Sequence, residues 1–336
     1  METSIEIAGD GRASEVRRAV VQLAAQLGLD EAGAGRAALA GTELATNLAK
    51  YGRQGWIAVS DFDDMDGRGI QLLAVDRGPG IAQFDAALRD GFSTGGSLGL
   101  GLGVLQRNAD VFDHYSAAGQ GAALLVRIAR PRSRPDRVPG RLQLGVRAAP
   151  KPGQEQSGDA WAFRQAGRWQ RLGIVDGLGH GPLAADAALK AVQVVHASTE
   201  RDTPATVLAA AHAALRSTRG AVMSVVDIDT AAGQAVFSGI GNATGLIVGQ
   251  AHGLLQTQHL MALEGIVGYN MRRTREHRYA WLPGSVLVLA SDGLSSRIQI
   301  DPALLDRHPA LIAGVLFRGH LRGTDDATVV VAKLHP

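Results

Sequence analysis

Glu43-Leu44-Ala45-Thr46-Asn47-Leu48-Ala49-Lys50-Tyr51-Gly52 is the stretch from which the first half of this chain can be read. Glu43, Asn47 and Lys50 stand at i, i+4 and i+7, which places all three on one stripe of a helix expected from about Glu31 to Tyr51. A neutral Asn beside a carboxylate suits a hard Mg²⁺ ion that shares its oxygen ligands with phosphates, although the same spacing also serves a solvated helix face. Before this helix, Ser14 is placed to cap another that runs to about Leu27. After it come two strands, Trp56–Phe62 and Ile70–Asp76, joined by the polar turn Asp63-Asp64-Met65-Asp66-Gly67.

Asp76-Arg77-Gly78-Pro79-Gly80 then puts an acid at the end of an apolar strand, with Gly78 and Gly80 allowing close approach of a ligand to the backbone. Further on, Asp90-Gly91-Phe92-Ser93-Thr94-Gly95-Gly96-Ser97-Leu98-Gly99-Leu100-Gly101-Leu102-Gly103 supplies a loop whose amides can cradle phosphates at the start of the next helix. That helix is expected near Val104–Ala109. Two more strands, Val111–Ala117 and Ala122–Ala129, turn at Gly119-Gln120-Gly121. The order of helices and strands predicts a two-layer α/β sandwich and not a doubly wound parallel sheet. Gly99, Gly101 and Gly103 have the wrong spacing for a dinucleotide fingerprint, and no acid follows at the required distance.

The whole chain has 336 residues, 46% of them apolar and 20% charged, a composition suited to about two packed domains. Residues 131–140, rich in Pro and Arg, read as a linker between a domain at 1–130 and one at 141–336. Its arginines are not interleaved with aromatic residues, so a solvated linker is preferred to a nucleic-acid patch. A net charge of +2 does not demand nucleic acid or membrane as a partner. The absence of Cys excludes disulfides, thiolate metal sites and cysteine nucleophiles. The N-terminus lacks the basic start and apolar core of a signal peptide, and no apolar run approaches the ~20 residues of a membrane span, so the expected location is cytoplasmic.

Taken together and in this order, the stretches around Asn47, Asp76 and Gly99–Gly103 resemble the N, G1 and G2 boxes of GHKL (Bergerat-fold) ATPases, and their wording is similar to the RsbT/RsbW group of anti-sigma-factor serine kinases. The resemblance implies ATP as cofactor, with Asn47 on Mg²⁺, Asp76 accepting from the adenine amino group, and Lys50, Gly78, Gly80, Gly99, Gly101 and Gly103 around the nucleotide. It also implies Glu43 as the base toward a protein serine hydroxyl. One departure is Gly121-Ala122, where the family often has Gly-Thr; the missing hydroxyl implies a weaker water-mediated contact to adenine.

In the second half the strand-like segments are Leu142–Ala148, Asp159–Phe163, Trp169–Val175, Val222–Ile228, Ala235–Gly239, Thr244–Val248, Ser285–Ala290 and Ala327–Lys333, with two helices among them. One helix starts after Pro182 and ends near His196; the other begins with the cap and proline of Thr203-Pro204. The pattern predicts a β-sandwich flanked by helices, in an α-β-β-α arrangement. Aspartates sit where these strands meet turns, in Ser157-Gly158-Asp159, Val175-Asp176-Gly177, Ser291-Asp292-Gly293 and Thr324-Asp325-Asp326-Ala327-Thr328. Any one Asp-Gly is ordinarily a turn. Converging strand ends, however, would gather carboxylates around two divalent ions that serve in-line attack on phosphorus without a protein nucleophile.

With Gly173-Ile174-Val175-Asp176-Gly177-Leu178-Gly179-His180-Gly181 as the most telling stretch, this half resembles the SpoIIE/RsbX branch of the metal-dependent PPM serine/threonine phosphatases, and Gly239-Ile240-Gly241-Asn242 looks closest to RsbX. The resemblance implies Mn²⁺ or Mg²⁺, with Asp176 bridging both ions and Gly177 lending its carbonyl. Asp159 and Asp292 would bind one ion each or through water, and Asp325 would complete the set in preference to Asp326. His180 is a candidate general acid for the leaving serine oxygen, but a structural role is preferred. His196, His212 and the tryptophans Trp56, Trp161, Trp169 and Trp281 are expected to be surface or packing residues.

The expectation is therefore a fused kinase and phosphatase of a bacterial partner-switching pathway, acting on a STAS-type regulator. A sigma factor or a downstream phosphatase is a further possible partner. The alternative is a phosphatase whose first domain is a nucleotide-dependent binding module without catalysis, acting as an anti-sigma factor or activator. A sensor histidine kinase fragment is disfavoured because no phospho-acceptor helix precedes the ATP pocket.

Overall fold

A computed structural model describes residues 2–7, 12–84, 88, 101–130, 140–251 and 254–334. The expected linker 131–140, apart from Gly140, and the loop from Asp90 to Leu100, Gly99 included, lie outside the described residues. The chain divides into two compact units, Met1–Val138 and Pro139–Pro336.

In the first unit, helices α1 (Ala13–Leu27), α2 (Glu31–Tyr51) and α3 (Gly101–Asn108) accompany an antiparallel sheet ordered β1-β2-β3-β5-β4. The strands are β1 (Glu2–Ile7), β2 (Gly55–Asp64), β3 (Gly67–Val75), β4 (Val111–Ala117) and β5 (Gly121–Ala129). Alternate residues of the sheet, among them Ile57, Val59, Leu72, Ala74, Leu124 and Val126, bury against Val16, Val20, Leu44 and Leu48 of the helices. This is the expected two-layer sandwich, with β1 added at its edge. Asp30 caps α2 by accepting from the Gly33 amide at 2.8 Å. Ser14 is not a cap: the backbone of Arg12 is already in the right-handed helical region, so Ser14 falls within the first turn of α1.

The second unit stacks two five-stranded antiparallel sheets. One is ordered β13-β10-β9-β8-β7, the other β12-β11-β14-β15-β6. The first draws on β7 (Asp159–Ala166), β8 (Trp169–Gly177), β9 (Ala221–Asp229), β10 (Gln234–Ile240) and β13 (His277–Ala280). The second draws on β6 (Leu142–Ala149), β11 (Thr244–Ala251), β12 (Leu254–His259), β14 (Val286–Ala290) and β15 (Ala327–Leu334). Leu172, Ile174, Val226 and Phe237 of one sheet meet Ile247, Leu287, Leu289 and Val330 of the other. The residues between them in sequence, such as Val175, Met223 and Val225, face outward and are covered by α4 (Pro182–Ala197) and α5 (Pro204–Ala214). A third helix, α6 (Pro309–His320), packs on β6 and β15 and completes the α-β-β-α order.

Three elements of this unit depart from the sequence pattern. Helix α6 is buried on nearly every side, so it shows no amphipathic stripe. Gly145 of β6 lets it approach, since a Cβ there would stand 2.1 Å from the Pro309 carbonyl carbon. Strands β12 and β13 are short, largely exposed edge strands without an alternating apolar face.

Candidate functional site

In the second unit, β7 and β8 pair so that Asp159 stands directly opposite Asp176. Gly177 follows, its amide donating to the Gly158 carbonyl at 2.9 Å; a Cβ on Gly177 would lie 2.2 Å from the Ala184 carbonyl oxygen. Only glycine lets the first turn of α4 pass this close. The β14 end brings Ser291, whose hydroxyl donates to Asp159 Oδ2 at 2.6 Å and accepts from the Thr328 amide at 2.9 Å. Asp292 comes next and accepts from Asn242 Nδ2 at 3.0 Å. Asp326, just before β15, takes the amides of Lys151 and Gly158 on its two carboxylate oxygens at 2.8 and 2.9 Å. Its neighbour Asp325 accepts from the Asp326 amide through Oδ1 and is half-buried.

The electrostatics show that these acids share one field. Asp176 is pushed up to about 8, first by burial and then by Asp159, Asp292, Asp325 and Asp326. Asp159 is pushed up to about 7, again first by burial, with Asp326 and Asp292 adding repulsion against the Ser291 hydrogen bond. Asp159 Oδ1 is buried and has no hydrogen-bond partner among the described residues. A buried, unsatisfied carboxylate oxygen among acids is a site that a divalent cation would complete. Among the described residues no three acidic or histidine side chains close into a ready ligand cage. These acids offer oxygen donors of the kind that hard divalent ions take while keeping part of their water shell.

In the first unit, Glu43 and Asn47 of α2 both face the start of α3: a Cβ on Gly101 would lie 3.1 Å from Glu43 Oε2 and 3.4 Å from Asn47 Nδ2. Asn47 Nδ2 is buried and has no hydrogen-bond partner among the described residues. Asp76, buried at the end of β3, accepts from the Gly78 amide. Its loop is fastened by Ser116, which accepts from the Ile81 amide at 2.6 Å, and by Pro79, which accepts from the Gly119 amide at 2.9 Å. Gly80 has φ +79°, and a Cβ there would meet the Ala117 oxygen at 2.5 Å. Gly103 is buried within α3, whereas Lys50 is exposed near the end of α2. Ser116 is the cross-strand neighbour of Ala122, the position where the family hydroxyl is missing.

Residues 167–335, half of the chain, match the family described as Stage II sporulation protein E (SpoIIE). The chain belongs to the SpoIIE family. Its matching half is a PP2C-type serine/threonine phosphatase domain, so the protein is an enzyme. Residues 8–128 match the histidine kinase-like ATPase domain, which makes the chain a fusion of an RsbT-like kinase domain with a SpoIIE-type phosphatase domain. A curated relative is the serine/threonine-protein kinase RsbT of Bacillus subtilis (strain 168), 36% identical over 102 residues that cover 30% of this chain and 77% of that protein. A solved structure described as "The bacterial stressosome: a modular system that has been adapted to control secondary messenger signaling" is similar with a TM-score of 0.52 and 26% identity, over 57% of this chain and 100% of its own. RsbX in complex with magnesium shares the fold, with a TM-score of 0.50 and 19% identity over 58% of this chain and 96% of its own.

Within this SpoIIE-type half, three residues that shape the site carried no role in the sequence reading: Ser291, Asn242 and Asp326. Each lies within or beside a motif, but its use depends on a partner far away in the chain. His180 is exposed on the loop after Gly177. His212 is a packing residue, its Nδ1 accepting from the Gly268 amide at 2.9 Å. Among the described residues no helix is long and apolar enough to cross a membrane.

Proposed function

We propose that the protein is a bifunctional partner-switching regulator, its first unit phosphorylating a serine or threonine of a STAS-type protein and its second unit removing that phosphate. The observation that carries the reading is the facing pair Asp159 and Asp176, with its raised pKa values and an orphaned buried oxygen. Two Mn²⁺ or Mg²⁺ ions held there would activate water and neutralise charge on the phosphoryl group. Asp176, Asp159, Asp292, Asp325 and the Gly177 carbonyl would hold them. Ser291 and Asn242 each donate to one oxygen, of Asp159 and of Asp292, so that the other oxygen of each would be available to an ion.

For the first unit, the unpartnered Asn47 beside Glu43 and Gly101 supports the reading of an ATP site with Mg²⁺ on Asn47. Asp76 would accept from the adenine amino group, with Lys50, Gly78 and Gly80 lining the same pocket, and the amides of Gly99, Gly101 and Gly103 would face the phosphates. In the transfer the serine oxygen bonds to the γ-phosphorus, the bond to ADP breaks, and the serine proton passes to Glu43. Likeness to RsbT and to a stressosome structure supports a STAS-type substrate. The deciding experiment is mass spectrometry of a STAS protein co-expressed with the full chain. Asp176→Asn is expected to raise its phosphorylation and Asn47→Asp to abolish it; an unmodified partner in both backgrounds would reject the reading.

A further inference from the structure

We infer that Arg219 binds the phosphate of the substrate in the phosphatase unit, a role that rests on the reading of that unit as a phosphoserine hydrolase. The connection from α5 into β9 runs beside the loop that follows Asp176. Ala221 pairs with Gly177 and Val222 with Asp176, and the Leu178 amide donates to the Gly220 carbonyl at 3.0 Å. Arg219 therefore emerges at the same end of the sheet as the acids. Its guanidinium lies over Gly179: a Cβ there would stand 3.0 Å from Arg219 Nη1, and Gly179 has φ +91°. Any other residue at 179 would be strained and would displace the guanidinium.

The base of Arg219 is firmly held. Thr218 donates its hydroxyl to the Leu215 carbonyl at 2.7 Å and accepts from the Gly220 amide at 3.1 Å. Ala221 and Val267 exchange backbone hydrogen bonds at 3.0 and 2.8 Å on the other side. The side chain itself is exposed and makes no hydrogen bond or ion pair among the described residues, although several aspartates cluster at this end. The buried Arg127 and Arg171, by contrast, are bound to acids. A phosphate dianion held at this end turns its remaining oxygens outward, and a guanidinium matches such oxygens two at a time.

The test uses the full chain loaded with Mn²⁺, as wild type, Arg219→Ala and Arg219→Lys. A phosphoserine peptide serves as substrate and inorganic phosphate as ligand in calorimetric titration. Arg219→Ala is expected to raise KM for the peptide and Kd for phosphate about 10- to 100-fold, the scale of hydrogen bonds to a charged group. Arg219→Lys recovers part of the loss, while Mn²⁺ affinity and melting temperature stay unchanged. An unchanged KM and phosphate Kd in Arg219→Ala overturns the assignment, and so does a matching fall in Mn²⁺ affinity or melting temperature. If the wild type hydrolyses no phosphoserine peptide, the phosphatase reading fails, and the phosphate titration still decides Arg219.

Discussion

Asp159 and Asp176 carry protons in the folded protein at pH values where the same groups in an unfolded chain have lost them. Between the ordinary carboxylate range and about pH 8, the folded state thus binds more protons than the unfolded one, and stability falls as pH rises through that window. In EDTA the melting temperature should therefore decline from pH 5 to pH 8, and Mn²⁺ added at pH 8 should restore it. A flat profile without metal would show that the two acids do not share one field. Asp176→Asn is expected to lower phosphoserine hydrolysis at least ~100-fold, with nucleotide binding retained, measurable by peptide kinetics and by fluorescence of a bound ATP analogue. Asp326 is different in kind. With both oxygens committed to the Lys151 and Gly158 amides, it fastens the segment that leads into Asp159. Asp326→Ala should weaken Mn²⁺ binding through that segment, a change that titration calorimetry would read.

At the scale of elements, the connection between α4 and α5 hangs on one buried side chain. Arg171 of β8 binds both oxygens of Asp227 on β9 at 2.7 Å and donates to Ser198 Oγ and the carbonyls of Thr199 and Asp202. Burial holds the Asp227 pKa above its ordinary value despite that partner. Asp227→Ala would leave a fully buried guanidinium without its carboxylate and is expected to cost about 3–5 kcal/mol in denaturant unfolding, and Arg171→Met should also destabilise because it strands the Thr199 and Asp202 carbonyls as well as Asp227. Much of the architecture was visible beforehand because it is local. The limits of α2 follow from its periodicity, and Thr203-Pro204 marks the start of α5 by its own chemistry. The aspartates at strand ends were legible for the same reason. What stayed hidden is non-local: α6 is apolar all round because both β6 and the surrounding chain cover it, and Asn242 acquires its use only from Asp292, 50 residues away.

For the whole molecule, a kinase-like ATPase domain and a PP2C-type phosphatase domain share one chain, and the proposed function sets them against each other. With ATP and an unphosphorylated partner, full-length Asp176→Asn should accumulate phosphoprotein. The wild type should reach a lower steady level while releasing ADP continuously, which a coupled ADP assay would follow. Equal phosphoprotein levels in both would show that the second unit does not act on the product of the first. The strand pairing adds a consequence in time. The second unit's sheet is closed by β15, which lies between β14 and β6, so the earliest strand of that unit waits for its latest one. The first unit, Met1–Val138, is synthesised before any strand of the second. On a ribosome adding about 5–20 residues per second, the nucleotide-type half can finish folding roughly 10 to 40 s before its counterpart is whole. Each newborn molecule thus passes through a stage in which its first unit is complete while β15, the strand that joins β14 to β6, has yet to be made.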